Sequence, residues 1–359
     1  MSFKNSFLDN TNSTYFIAEI GINHNGNIDL AKKMIKKSSE AGAKGVKFQK
    51  RNIKLLTDPN MEIVEPTGYL SQNETDLPQE DKAFGTWTYP DKRLEFDDMQ
   101  YKELIEYSKK HGVDFIISPW ENDSVDFIQK NNLKVLKLAS IDTINYQFCK
   151  YISKKQIPTI ASIGMANFDQ IIKTYEIFKN ADCPLMFMHC TSAYPCPIED
   201  KNLNVINILK EMFPIDIGFS GHAIGIEGTL GAVALGARVV EKHVTLNRKM
   251  SGPDQAASLE FDELTKLINH SNNMVKAMGS QFKKLEDSEI TLKKILNRSF
   301  MAIKDIEIGD SFDDNNIITV VTKNQNGISP NLYYELISSK ASSKIKKNTI
   351  ITDDHLSKN

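Results

Sequence analysis

Cysteine is scarce in this sequence: four residues in 359, at Cys149, Cys183, Cys190 and Cys196. None has the paired spacing of a zinc site, and the four do not form a disulfide framework. A reducing compartment fits that usage, so a cytoplasmic protein is expected. Long apolar runs are missing too, and nothing approaches the roughly 20 residues of a membrane span. The N-terminal stretch MSFKNSFLDNTNSTYF has no long apolar core and no cleavage signal. An excess of one charge is also absent. Lys and Arg number 44 against 46 Asp and Glu, a formal net charge of −2. That balance argues against nucleic acid as the main partner. Finally, no Gly-rich dinucleotide turn follows the first apolar run, which weakens an open doubly wound sheet.

What is present is an ordinary soluble composition, 40% hydrophobic and 25% charged, long enough for one large domain and a small one. Apolar runs of strand length alternate with helical periods. Tyr15–Gly21 reads as the first strand, followed by the polar turn Asn23-His24-Asn25-Gly26. A helix over Leu30–Ala41 comes next, with Asp29 as its expected cap. Gly45–Gln49 is the second strand. Lys47 and Gln49 share one face of it, while Val46 and Phe48 should pack outward on helices. Residues 51–95 are long and irregular and are expected to cover the site as a lid. Further strands are expected over 114–119, 134–140, 158–164, 184–190, 216–221 and 239–245, with helices between them and a closing helix over 261–278. Eight strand–helix repeats predict a closed (β/α)8 barrel over residues 1–280. A charged linker over 281–296 and a small β-rich unit over 297–359 follow. The small unit is expected to dock on something, because so short a segment has little core.

In such a barrel the carboxyl ends of the strands carry the chemistry. Taken in order they present Glu19 and Asn23, Lys47 and Gln49, Ser118, then Lys137, Ser140 and Asp142. Ser162 follows, then His189, Thr191, Ser192 and Tyr194. Ser220 and His222, Glu241 and His243, and Asp254 complete the set. Two lysines and several serines at one mouth suit an anion, most economically a phosphate. His222 and His243 end neighbouring strands of one βαβ unit. They either hold a divalent metal or are core and capping histidines. A lone serine at such a place is more often a helix cap.

The segments AEIGINHNG (18–26), GVKFQ (45–49), KLAS (137–140), HCTSAYP (189–195), GFSGH (218–222), EKHVT (241–245) and GPD (252–254) resemble the sialic acid synthases. NRSFMAIKDIEIGD (297–310) resembles their antifreeze-like (SAF) domain. The resemblance implies condensation of phosphoenolpyruvate with an open-chain N-acetylated amino sugar. The sugar would be N-acetylmannosamine or a 2,4-diacetamido-trideoxyhexose. C3 of phosphoenolpyruvate attacks the sugar aldehyde, water adds at C2, and phosphate leaves by C–O cleavage. It also implies a divalent metal on His222 and His243, typically Mn2+, with Mg2+ or Co2+ as alternatives. Lys47, Ser118, Lys137, Ser140, Ser162, Ser192 and Ser220 match phosphoenolpyruvate-binding positions. Gln49, Asp142, Tyr194 and Asp254 match positions near the sugar, and Glu19 is the first choice for proton transfer. Glu241 would support His243.

There are departures from the family pattern. Asp142 stands for a longer glutamate, Gly221 for an aspartate, Gln255 for a histidine and Cys196 for a threonine. Asn324 stands where the family's SAF arginine reaches the partner protomer's sugar, which leaves Lys323, Arg298 or a different sugar as the explanation. A domain-swapped homodimer is implied as well. Two other readings remain: a metal-dependent class II aldolase or related sugar-phosphate synthase, and a non-catalytic binding module descended from a synthase.

Overall fold

The computed structural model describes residues 14–56 and 92–357. The lid expected over 51–95 falls mostly outside the described residues. The chain divides into two compact units, Met1–Gly279 and Ser280–Asn359.

The first unit is a closed parallel barrel. Its strands are β1 (Tyr15–Gly21), β2 (Gly45–Lys50), β3 (Asp114–Pro119), β4 (Leu136–Leu138), β5 (Thr159–Ser162), β6 (Leu185–Cys190), β7 (Ile217–Gly221) and β8 (Val239–Thr245). They pair in chain order, and β1 closes on β8. The helices are α1 (Ile28–Glu40), the short α2 (Ile53–Leu56), α3 (Asp98–Lys110), α4 (Asn122–Lys130), α5 (Tyr146–Lys154), α6 (Phe168–Asn180), α7 (Val205–Met212), α8 (Glu227–Ala234) and α9 (Phe261–Met278). A two-residue strand, β9 (Leu259–Glu260), pairs with β8 just before α9.

Local chemistry sets the helix starts. Asn27, not the expected Asp29, caps α1, because its side chain accepts from the amides of Asp29 and Leu30. Asp97 with Gln100 and Asn167 with Gln170 form reciprocal capping boxes at α3 and α6. In α1 the buried residues Ala31, Met34, Ile35 and Ser38 recur at helical spacing and face the sheet.

Strand period two then sorts the barrel into layers. Outward residues such as Val46 and Phe48 join the core between strands and helices, and Phe48 stacks on Phe115 with ring centroids 5.0 Å apart. Inward residues Ile17, Ile116, Val135, Ile160, Met186, Met188 and Val239 form a separate apolar plug inside the barrel. Gly45 and Gly218 continue that layer without side chains, and a Cβ at either would press on Ile116 or Met188. Two residues beyond the last plug position of a strand the inward side chain becomes polar; β6 carries two plug residues, Met186 and Met188, before Cys190. The sequence of every strand therefore carries both the floor of the site and the site itself.

The second unit begins with α10 (Asp287–Ile295), which buries none of its residues. The expected linker is thus helical over much of its length. After it, β10 (Arg298–Ala302) and β11 (Ile317–Val321) pair antiparallel. A small core forms from Phe300, Ile306, Phe312, Ile317, Ile328, Leu336, Ile345 and Ile351, with the short helix α11 (Tyr333–Ile337) supplying Leu336.

Candidate active site

Above the plug lies a ring of buried charge. Glu19 on β1 pairs in register with Lys47 on β2 and with His243 on β8. Lys47 Nζ stands 3.0 Å from Glu19 Oε1 and 3.6 Å from Glu241 Oε1, and it donates to Ser118 Oγ at 3.1 Å. Lys137 Nζ donates to Ser162 Oγ at 2.6 Å and lies 3.9 Å from Glu241 Oε1. Ser220 Oγ donates to the same Glu241 oxygen at 3.0 Å. All four charged groups are almost fully buried, Lys137 at 2% exposure and Glu19 at 1%.

Burial sets the proton affinities here, and the neighbours then divide them. Desolvation lifts Glu19 to about 7, partly opposed by Lys47 and reinforced by Glu241. Glu241 is also desolvated, but Lys137 and Lys47 outweigh that and keep it below the usual carboxylate range. Lys137 is pushed down by burial, while Lys47 is buried as deeply but held up by Glu19 and Glu241. The two carboxylates therefore differ: Glu241 stays ionised, and Glu19 can carry a proton near neutrality.

The two histidines meet beside this ring. Their ring centroids are 5.5 Å apart. His222 Nδ1 lies 3.0 Å from the Thr191 carbonyl, which can only accept, so that nitrogen carries the proton. The lone pair is left on Nε2, 3.0 Å from the Tyr194 hydroxyl. His243 Nδ1 is buried without a hydrogen-bond partner and lies 3.7 Å from Asp254 Oδ2. Burial, with His222 next, drives His243 well below its ordinary value and keeps the ring neutral. His222 is desolvated too, but the Cys190 thiol and the Thr191 carbonyl raise it.

Among the described residues no set of three or more His, Cys, Asp or Glu side chains converges as a complete metal site. The pair nevertheless fits a divalent cation. It offers two imidazoles, one with its lone pair directed by the Thr191 bond and one with an orphaned buried nitrogen. The remaining positions would be filled from outside the chain.

The sugar-side candidates divide. Gly21 has φ +54°, and a Cβ there would lie 3.1 Å from Glu19 Oε1, 3.4 Å from Gln49 Nε2 and 3.6 Å from Asp254 Oδ2. Glycine thus lets three polar side chains face one another over bare backbone. Asp142 is drawn instead to Asn145, at 3.2 Å, and burial lifts it to about 6. None of its hydrogen bonds reaches the lysine–histidine cluster.

Three expected residues leave the set. His189 faces the helix layer, where its Nε2 lies 2.7 Å from the Lys201 carbonyl. Thr191 bonds the Asp200 carbonyl through its hydroxyl. Asn23 donates to the Val244 carbonyl and to Ser258, tying β1 to the loop after β8. Conversely, Cys190 lies at the site although it belongs to none of the expected sets. It lies two residues beyond the plug residue Met188, so the strand period was the available signal. Its sulfur sits 3.6 Å from His222 Nδ1, 3.6 Å from Ser140 Oγ and 3.7 Å from Ser192 Oγ. Burial would raise the thiol, but His222 outweighs it and the net value falls to about 7.

This chain can be set beside known proteins. The NeuB family profile matches residues 34–283. The chain is 36% identical over 344 residues to the N,N'-diacetyllegionaminic acid synthase of Campylobacter jejuni, covering 95% of this chain and 99% of that one. It is 34% identical to the N-acetylneuraminate-9-phosphate synthase of Mus musculus, covering 95% and 92%. Among solved structures, the N-acetylneuraminic acid synthetase of Leptospira borgpetersenii, in complex with citrate, superposes with a TM-score of 0.68 at 30% identity, covering 80% of this chain and 96% of that one. With the barrel, the ordered motifs and the profile in agreement, this chain belongs to the NeuB family.

Proposed function

We propose that the protein is a nonulosonic acid synthase that condenses phosphoenolpyruvate with an N-acetylated amino sugar and releases phosphate. The observation that carries this reading is the pair of histidine rings 5.5 Å apart beside the buried Lys47–Glu19 and Lys137–Ser162 contacts. Family membership and the synthase relatives support it. An aldolase would use the histidines but has no evident need for two buried lysines set among serines.

Lys47 and Lys137 supply positive charge for the phosphate and carboxylate of phosphoenolpyruvate, with directed hydrogen bonds from Ser118 and Ser162. Ser140 and Ser192 flank Cys190 at the same end, and Ser220 holds Glu241 in place. His222 and His243 would hold the divalent cation, Mn2+ in this reading, which when bound polarises the sugar aldehyde. Tyr194 orients His222, and Asp254 stands behind His243. Glu19 has a proton affinity near neutrality and is aimed, with Gln49, over Gly21. It holds or moves the proton at the reacting carbon or oxygen.

The acceptor is a 2,4-diacetamido-trideoxyhexose. The name of the Campylobacter relative supports that choice, and so does Asn324, which cannot offer the planar fork of an arginine. The C-terminal unit, residues 297–359, is the SAF domain and completes the site of a second copy in a domain-swapped homodimer. Cytoplasmic location suits a phosphoenolpyruvate-consuming enzyme. Among the described residues no helix is long and apolar enough to cross a membrane. The test is phosphate release from phosphoenolpyruvate with each candidate sugar, with mass spectrometry of the product. A nonulosonic acid formed from the diacetamido sugar is expected. Phosphate-independent aldol cleavage, or metal binding without turnover on any amino sugar, would overturn the proposal.

A further inference from the structure

On the outer side of the β7–β8 wall, two largely buried lysine side chains stand together. β8 points Glu241 and His243 inward, so Lys242 between them lies in the helix layer. Lys242 is 2% exposed, and its Nζ donates to the Ala223 carbonyl at 2.6 Å. Lys201 is 8% exposed, and its side chain lies across the first turn of α8. A Cβ at Gly228 would sit 2.7 Å from Lys201 Nζ. Among the described residues, Lys201 Nζ makes no hydrogen bond, and no carboxylate lies within 4.0 Å of either ammonium. The nearby Glu263 is taken by Arg248.

The backbone adds to the positive field. Helix α8 starts at Glu227 with no side-chain cap, so its first amides are unsatisfied where Lys201 lies. A cavity of about 10 Å³ sits among Thr191, Lys201, Gly221, Thr229 and Lys242. Gly221 keeps its wall bare, since a Cβ there would lie 2.7 Å from Phe219 Cε1 and 3.3 Å from both Lys242 Cδ and Thr229 Oγ1. Lys201 also lines an adjoining surface pocket of about 320 Å³, beside Pro197, Ile198 and Glu227. Lys242 meets only a backbone carbonyl and Lys201 opens on the outer pocket, so the positive charge of both, added to that of the helix start, has no carboxylate set against it.

We propose that this pocket binds a small inorganic anion between Lys201, Lys242, the Thr229 hydroxyl and the first amides of α8. A halide would fill the inner cavity alone, whereas a phosphate would sit in the outer pocket and reach in with one oxygen. Lys242 adjoins His243 and holds the carbonyl just after His222. The anion therefore steadies both histidine-bearing strand ends from behind.

Two experiments test this on the full-length protein. Crystals soaked in bromide or in phosphate should show the anion within about 3.5 Å of Lys201 Nζ. Bromide there assigns the inner cavity, and phosphate the outer one. In solution, exchanging gluconate for chloride at constant ionic strength should raise the unfolding midpoint by roughly 2–4 °C. Lys201→Met should lose most of that increment, while Lys137→Met, which alters the barrel-mouth cations, should keep it. Gly221→Asp supplies a carboxylate to the same gap and should also lose it, so the test does not rest on one variant. No anion near Lys201 in either soak would overturn the proposal. So would an increment kept in Lys201→Met and lost in Lys137→Met, which would assign the anion to the barrel mouth.

Discussion

Glu19 draws its character from three neighbours and from dryness. Its carboxyl is lifted to about 7 by burial, so it is protonated below neutrality and ionised above it. Glu19→Gln keeps the size and one acceptor but cannot titrate. We expect kcat to fall by about 10²–10⁴. The limb near pH 7 in the wild-type kcat profile should disappear, and an unchanged limb would assign that ionisation to another group. Lys137 is held to Ser162 and has no carboxylate closer than 3.9 Å, which leaves its charge for a bound anion. Lys137→Ala should therefore raise the KM for phosphoenolpyruvate by tenfold or more, roughly the 1.4 kcal/mol of one charge-assisted hydrogen bond, and the sugar KM far less. Equal changes in both would remove Lys137 from the anion site. His222→Ala should abolish turnover and weaken Mn2+ binding by calorimetry while the far-ultraviolet spectrum stays as in the wild type. Full turnover in metal-free buffer would contradict the proposed chemistry.

Elements place these groups by a simple repeat. Along a strand the plug layer gives way to the site at the next inward residue, so Ile17 precedes Glu19 and Val239 precedes Glu241, while β6 gives two plug residues before Cys190. The turn after β1 holds another buried ionisable group. His24 stacks on Phe96 with centroids 4.3 Å apart, and its Nδ1 accepts from the Gly26 amide at 3.0 Å. Burial, with Arg51 next, lowers His24 to about 3 from the ordinary histidine value of 6.5. The unfolded chain thus binds a proton between those values that the folded chain refuses. Stability from this group is complete above pH 6.5 and is lost as pH falls towards 3, by about 1.4 kcal/mol per pH unit. His24→Gln should flatten that slope in urea unfolding measured at pH 7.5 and 5.5. An equal slope in both proteins would show that His24 already protonates in the fold.

At the scale of the whole chain, two separate cores matter most. The barrel unit has its large strand–helix core and inner plug, and the second unit has a small core around Phe300, Phe312 and Leu336. Units with separate cores open independently unless an interface couples them. Calorimetry of the full chain should therefore resolve two transitions, the smaller one from the C-terminal unit. A single two-state transition would mean that the units unfold as one, as a tightly exchanged dimer would require.

The strand–helix alternation, the lysines at strand ends and the histidine pair could all be read from one dimension. Period and punctuation are local properties, and parallel strands send their inward residues to the same end. The same rule, carried two residues beyond Met188, would have exposed Cys190 and excluded His189. Other features arise only when distant segments pack. The lift of Glu19 needs burial by the closed barrel and Glu241 brought from another strand, against the opposing pull of Lys47 on a third. The withdrawal of Asp142 to Asn145 depends on a tight turn after β4. The unpaired state of Lys201 follows from its landing on the start of α8. Charge and burial are set by neighbours far along the chain, and no sequence period records them.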